Sequence, residues 1–277
     1  MHRSLRALIA ALMFPALYLL SQLFVSQVIA TLLTLRMPPD LTAEGMAAQF
    51  ESLFERWKLP SAVLAALLIL LIALIATRRA ALTAPPMGFA PLRASQAALL
   101  LAGGLCIHLT VVAGLSLLPI PEVLWDENNS VGEMLRSHGL IGNMLAGCLL
   151  LPFTEEVVFR GMGYRILRSG FPVRAAVVIQ ALIFAAFHMN WLQSFYVFPV
   201  AIVLGLVYEW TDSLLAPVLL HIAFNGAGFA LSSLAEVVPG IPGFVCAAAA
   251  LGVWYILRAL YRRRVPRGAL GGDARDL

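Results

Sequence analysis

Charged residues are scarce in this chain, since Asp, Glu, Lys and Arg make up only 12% of its 277 residues. A water-soluble domain usually has about a quarter of its residues charged, so the deficit excludes an ordinary soluble protein. Hydrophobic residues reach 61%, and the mean hydropathy is +0.88. The apolar runs are spread evenly along the sequence and leave no stretch for a separate soluble domain. The composition therefore predicts a polytopic membrane protein.

Cysteine is scarce as well, and Cys106, Cys148 and Cys246 all lie within apolar runs without CxxC spacing. This pattern excludes a disulfide framework and a thiolate metal site, and it is typical of small packing residues. The HExxH motif is absent, which removes the usual spacing of zincin ligands. The net charge of +4 does not indicate a nucleic-acid partner, because the arginines lie in loops and at the C-terminus, where cytoplasmic-side bias accounts for them.

Runs of about twenty apolar residues predict an all-α fold, a transmembrane bundle of about eight helices. The predicted helices cover residues 5–35, 60–77, 96–118, 139–168, 174–191, 195–210, 214–232 and 241–261. Residues 37–58 mix acidic, basic and aromatic side chains, which predicts an amphipathic helix at the membrane interface.

The loops between these helices alternate in charge. Segments 78–95 and 165–174 carry arginines without acids, whereas segment 119–138 is mainly acidic. Because basic loops remain in the cytoplasm, an even number of crossings places both termini on that side. We therefore expect a multi-pass protein of the cell inner membrane, in contact with the lipid bilayer and with no nucleic-acid partner.

Two adjacent carboxylates and an arginine stand at the end of a long apolar run, in the stretch Glu155-Glu156-x-x-x-Arg160. An ionised side chain in hydrocarbon costs about 3 kcal/mol on insertion scales, so such groups usually face a bundle interior or a wet cavity and carry function. On a helix Glu156 and Arg160 share a face, and Glu155 points elsewhere. The spacing predicts that Arg160 neutralises Glu156 and leaves Glu155 free to act. The alternative is a salt bridge that only fixes two helices together.

Further polar residues interrupt later apolar runs, in Phe184-x-x-x-His188 and His221-x-x-x-Asn225. Glu155 and His188 are equidistant from the turn near residues 171–172, so they should face each other at one depth. The same count about the turn near residue 212 places His221 shallower by roughly 10 Å, unless that turn dips below the surface or the helices tilt.

A single histidine in a membrane helix is as often an interhelical hydrogen-bond partner as a catalytic group. We assign His108 to that structural role, because it has no polar neighbour at helical spacing.

A carboxylate, two imidazoles and an amide in a partly wet pocket suit hydrolysis. Glu155 would take a proton from water that His188 helps to hold, and His221 and Asn225 would donate to the oxyanion of a tetrahedral intermediate. Alternatively, Glu155, His188 and His221 would bind Zn²⁺ with an open position for water. The sequence leaves both mechanisms open.

The three motifs, in this order on successive predicted helices, resemble those of the CPBP intramembrane proteases. This family contains the CAAX prenyl endopeptidases of the Ras-converting-enzyme type and the Abi proteins. The resemblance covers about residues 139–232 and implies a membrane-embedded endopeptidase that acts on a peptide or a membrane-anchored protein. By position it implies the following roles: Glu155 as the water-activating base, Glu156 and Arg160 as its motif partners, His188 as second activator, and His221 with Asn225 as oxyanion stabilisers.

The resemblance leaves the metal open, because the family is often labelled metalloprotease although a metal-free glutamate mechanism has also been argued. It does not settle whether the substrate is prenylated. It divides the single membrane domain into N-terminal helices and loops (1–138), a protease-like core (139–232), and a last helix with a basic cytoplasmic tail (233–277).

Two other functions are compatible with an intramembrane polar cluster. One is an immunity or scaffold protein in which the cluster is structural, and the other is a proton-coupled transporter in which the carboxylates relay protons. A transporter is expected to have paired broken helices in two halves, and the unequal halves of this chain argue against it. A scaffold would keep its role after Glu155→Gln, whereas a protease would not.

Overall fold

The computed structural model describes residues 3–38, 40–80, 88–126, 139–235 and 243–264. Within these ranges there is no β-strand, and the predicted all-α fold is confirmed. The long helices are α1 (Arg3–Leu35), α2 (Ala43–Ala80), α3 (Ala94–Ser116), α4 (residues 139–168), α5 (Val173–Phe187), α6 (Trp191–Thr211), α7 (Leu215–Ala235) and α8 (Gly243–Arg262). Part of the predicted acidic loop and the basic tail after residue 264 lie outside the described residues.

Five of the described helices are long and apolar enough to cross a membrane. They are Arg3–Leu35, Ala43–Arg78, Ala94–Ser116, Ile141–Arg168 and Trp191–Thr211. These helices and the apolar composition together show that this is an integral membrane protein. Helix α5 has 15 residues, so it is only about 22 Å long, shorter than the roughly 30 Å hydrocarbon core. The predicted count of about eight crossings therefore stays a prediction.

The predicted amphipathic segment is helical, but it is continuous with the second long helix. Helix α2 begins at Ala43 and runs through Pro60 to Ala80. Proline removes one backbone donor, which leaves the carbonyl four residues earlier without its helical partner. The neighbouring Ser61 hydroxyl donates to a different carbonyl, that of Lys58, at 2.7 Å. The expected start at residue 60 was wrong because charged side chains lower the hydropathy of residues 43–58 without breaking the helix.

Helix α4 lies at the centre of the bundle, where α1, α2, α5, α6 and α7 contact it. It consists of five consecutive segments, which are Gly139–Asn143 (α), Met144–Leu150 (π), Leu151–Glu156 (α), Val157–Tyr164 (π) and Arg165–Arg168 (α). π-Helical turns are rare and occur frequently at functional sites. The α-helical segment between the two π segments carries Glu155 and Glu156.

A hydrogen bond and an ion pair hold the end of α4 against α6. The Tyr164 hydroxyl donates to a Glu209 carboxylate oxygen at 2.5 Å, and the Arg168 Nε lies 3.5 Å from the same oxygen. These contacts fix the rotation of α4 about its axis and, with it, the direction in which the Glu pair points.

Helix α5 ends at Phe187, four residues before its expected end. The cause is local, because Met189 has a φ of 50°, in the left-handed region, and Asn190 is the N-cap of α6. The Asn190 side-chain oxygen accepts from the Gln193 backbone N–H at 2.8 Å. His188 therefore lies at the end of α5 and not within it.

The turn between α6 and α7 is buried beneath the segment that precedes α3. Asp212 has a left-handed φ of 48°. The Ser213 hydroxyl donates to the Ala90 carbonyl at 2.6 Å, and the Leu214 N–H donates to the Gly88 carbonyl at 2.7 Å. Ser213 and Leu214 have no exposed surface. These bonds fix the start of α7.

Helix α7 packs closely against α3. A Cβ on Gly104 would lie 2.5 Å from the Ala223 Cβ and 2.5 Å from the Leu220 carbonyl oxygen. Only glycine allows the two backbones this near approach. The position of α7, which carries His221 and Asn225, is therefore set by α3 as well as by the turn.

Candidate active site

A cavity of about 530 Å³ lies among α1 to α7. Its lining includes four of the six site residues predicted from the sequence, which are Glu155, His188, His221 and Asn225. The other two, Glu156 and Arg160, lie behind this lining and have no exposed surface. The structure thus brings all three sequence motifs to one place.

Glu156 receives two side chains on one oxygen. Arg160 Nη1 donates to Glu156 Oε1 at 2.8 Å, as the spacing of four residues predicts, and His221 Nδ1 lies 2.8 Å from the same Oε1. A carboxylate paired with a guanidinium is an acceptor only, so His221 Nδ1 carries the hydrogen. The contact between Glu156 and His221 was not predicted from the sequence. The sequence gave only a depth for His221 and not which side chain of α4 it contacts.

Glu155 faces the other nitrogen of the same imidazole. Its Oε2 lies 3.8 Å from His221 Nε2, which is too long for a direct hydrogen bond. The Glu155 side chain is 17% exposed, whereas that of Glu156 is fully buried. His221 therefore lies between the two carboxylates, one behind it and one in the cavity.

The depth offset expected of His221 in the absence of a buried turn or tilted helices is not found. The count from the turn placed it roughly 10 Å shallower than Glu155, yet the two side chains are 3.8 Å apart. The count assumed a simple hairpin of α6 and α7. In the structure the turn is buried and α7 packs against α3 at Gly104, so equal distance from the turn does not mean equal depth.

His188 is oriented by a backbone carbonyl. Its Nδ1 lies 2.8 Å from the Phe184 oxygen, one turn earlier in α5. A carbonyl oxygen only accepts, so Nδ1 carries the hydrogen and Nε2 of the neutral ring has a free lone pair. His188 can therefore accept a hydrogen bond from a water molecule in the cavity.

Asn225 ties α7 to the first π segment of α4. Its Nδ2 donates to the Gly147 carbonyl at 3.0 Å, and both residues line the cavity. A side-chain amide has a second N–H and an oxygen, so one donor and one acceptor stay available to a bound molecule.

Arg160 has partners on three sides. Its Nη1 donates to Glu156, and its Nη2 donates to the Ala201 carbonyl of α6 at 3.3 Å. Its Cζ lies 4.4 Å from the centre of the Phe184 ring.

Gln180 of α5 donates to the same Ala201 carbonyl at 2.9 Å. Gln180 was missed in the sequence, although it is the one uncharged polar side chain in the apolar run of α5.

His108 lines the same cavity. Its ring packs edge-on against Phe224 with centres 5.3 Å apart, and its buried Nδ1 has no hydrogen-bond partner among the described residues. The expected interhelical hydrogen bond of this nitrogen is therefore not found.

The described residues are not grouped as a metal site. Glu155, His188 and His221 were the candidate zinc ligands, and all three line the cavity. Within the described parts of the chain, however, no three His, Cys, Asp or Glu side chains are grouped closely enough to hold a metal ion. Zinc requires three or four such donors at about 2.0–2.3 Å.

The comparisons with known proteins agree with the motifs. Residues 137–227 match the family described as type II CAAX prenyl endopeptidase Rce1-like. The matched segment contains all six predicted site residues, and the resemblance stated from the motifs is confirmed for this part of the chain. The division into domains stays a prediction.

A curated relative matches over a similar length. The uncharacterized protein YpbD of Bacillus subtilis (strain 168) is 31% identical over 105 residues, which is 36% of this chain and 51% of that protein. The match thus spans about half the length of the relative. No solved structure matches the chain.

Proposed function

We propose that this protein is an intramembrane endopeptidase in which Glu155 activates a water molecule to hydrolyse a peptide bond at or within the bilayer. The observation that carries the proposal is the position of Glu155, 3.8 Å from His221 in a cavity that His188 and Asn225 also line. The family of the matched segment is named for peptide-bond hydrolysis, which supports the same reaction class.

Glu155 and His188 act on the water. Glu155 lies in the cavity rather than in the buried pair, so its carboxylate is available as a general base. His188 Nε2 accepts a hydrogen bond from the same water, because Phe184 holds the hydrogen on Nδ1. The water oxygen attacks the peptide carbonyl carbon, and its proton moves to Glu155.

His221 and Asn225 stabilise the resulting oxyanion. With Nδ1–H bonded to Glu156, His221 can donate from Nε2 only as an imidazolium. Two carboxylates and Arg160 surround that ring, and an imidazolium makes the total charge of the four groups zero. Asn225 adds its second amide N–H.

Glu155 then returns the proton to the leaving amine as the C–N bond breaks, which restores the carboxylate. Glu156 and Arg160 do not touch the substrate in this scheme. They are positioning residues, because Glu156 holds the imidazole of His221 and stabilises its charge, and Arg160 holds Glu156.

The proposed substrate is a peptide or a membrane-anchored protein. The cavity lies within an apolar helix bundle. Its walls combine the polar groups above with aromatic and aliphatic side chains.

The test is cleavage of a library of short peptides by the detergent-purified protein, with products identified by mass spectrometry. We expect internal cleavage, and we expect it to persist after chelation with metal content measured in parallel, since no three-ligand metal site is formed by the described residues. A folded preparation that cleaves neither these peptides nor membrane-anchored fusions of them would favour the immunity or scaffold function. Loss of cleavage on chelation, restored by Zn²⁺, would contradict the metal-free mechanism.

A further inference from the structure

Gln180 is a buried polar side chain outside the three motifs. It lies in the middle of α5, is 2% exposed, and is not among the residues that line the cavity. A buried amide in an apolar helix is costly unless its groups are hydrogen-bonded. Its Nε2 donates to two carbonyls, Val177 of its own helix at 3.1 Å and Ala201 of α6 at 2.9 Å.

The Ala201 carbonyl is the point at which three helices meet. Gln180 reaches it from α5 and Arg160 reaches it from α4, with Nη2 at 3.3 Å. Gly205, one turn further along α6, makes room for this arrangement. A Cβ there would lie 2.7 Å from Gln180 Nε2.

From Ala201 the contacts lead to the reacting groups. Arg160 donates to Glu156 at 2.8 Å, and Glu156 Oε1 holds His221 Nδ1 at 2.8 Å. All of Gln180, Arg160 and Glu156 are buried, so water does not substitute for a lost contact.

We infer that Gln180 is a positioning residue of the proposed protease, which fixes the Arg160 guanidinium at the Ala201 carbonyl and thereby the Glu156–His221 pair. The catalytic part of this inference rests on the proposed function. The structural part, that Gln180 controls the hydrogen bond of His221, does not.

The first test does not depend on activity. The Nδ1–H signal of His221 is recorded by NMR on protein labelled with ¹⁵N-histidine, which has five histidines, and is assigned by its loss in His221→Asn. The variant is Gln180→Met, which keeps the length of the side chain and removes its donor. We expect the His221 signal to shift or broaden.

The matched control is Ser194→Ala. The Ser194 hydroxyl donates to the Ala185 carbonyl at 2.7 Å, so it also links α6 to α5 through a backbone oxygen, but not through the Ala201 carbonyl to which Arg160 donates. We expect this variant to leave the His221 signal unchanged. Gly205→Ala is a second perturbation for the case in which Gln180→Met does not fold. The added Cβ would displace the side-chain amide of Gln180 without any substitution at Gln180 itself.

The second test measures kcat and KM on a peptide that the wild type cleaves. We expect Gln180→Met to lower kcat about tenfold with KM within about twofold of wild type, since misplacing a catalytic group slows the chemical step more than binding. Ser194→Ala should change neither. If no peptide is cleaved by the wild type, the proposed function fails, and the NMR result alone decides the role of Gln180.

Two results would overturn the inference. One is an unchanged His221 signal in both folded Gln180→Met and Gly205→Ala. The other is an equal change in Ser194→Ala, which would mean that any loosening of α5 against α6 has this effect and that Gln180 has no specific role.

Discussion

Glu155 and Glu156 are neighbours in the sequence but meet different surroundings. Glu156 is fully buried and receives Arg160 and His221 on one oxygen, whereas Glu155 is partly exposed in the cavity. The spacing of the motif was enough to predict that Arg160 pairs with Glu156. The contact of Glu156 with His221 joins residues 65 positions apart, and no local pattern encodes such a distance.

The two carboxylates are expected to differ sharply in their effect on stability. Glu156→Gln leaves the buried Arg160 cation without a countercharge, which we expect to lower the free energy of unfolding by about 3–5 kcal/mol. Glu155→Gln removes a charge that faces the cavity, so we expect a change within about 1 kcal/mol. Thermal unfolding of both variants in the same detergent measures this difference. Equal losses of stability would show that the division of roles is incorrect.

At the scale of helices, the sequence predicted where most elements lie but not how they pack. Apolar runs located α1, α3, α6 and α7 to within a few residues. The end of α5 was missed because it depends on the left-handed backbone at Met189. The π segments of α4 were not predicted either, since apolar periodicity does not distinguish them from α-helix.

The packing of α3 against α7 helps to place His221 next to Glu155. Gly104 is expected to be essential to it, because a Cβ there would overlap Ala223 and the Leu220 carbonyl. We expect Gly104→Ala to lower the free energy of unfolding by about 1–3 kcal/mol. It should also lower the rate of peptide cleavage, because α7 carries His221 and Asn225.

Gly114 on the same helix provides the control. A Cβ at Gly114 meets nothing within 4 Å, so Gly114→Ala should leave stability unchanged or raise it by up to about 1 kcal/mol through helix propensity. The comparison uses unfolding temperatures and cleavage rates of the two variants. If both substitutions had the same effect, close approach of α3 and α7 would not be what positions the site.

For the whole molecule, the scarcity of charge was enough to predict an all-α membrane bundle. Among the described helices, five have the length and composition of membrane spans, while the 15 residues of α5 are short for one. Hydropathy alone therefore does not fix the number of crossings, and the orientation still rests on the arginines of the loops.

Labelling of a single cysteine tests the orientation. Ser169 is exposed in the turn between α4 and α5, next to Arg168. In a background with Cys106, Cys148 and Cys246 replaced by alanine, we expect Ser169→Cys to react with a membrane-impermeant maleimide in inside-out vesicles and not in intact cells. The reverse pattern would place this basic turn outside the cytoplasm and invert the proposed topology.

The central claim is that Glu155 is the base of a hydrolytic reaction, and the most direct measurement is kcat of Glu155→Gln on a peptide that the wild type cleaves. Glutamine keeps the shape of the side chain but takes up no proton, so we predict a fall of about 10²–10⁴-fold. Glu51→Gln, an exposed position on α2, should cleave at the wild-type rate. A folded Glu155→Gln protein that cleaves as fast as the wild type would contradict the claim.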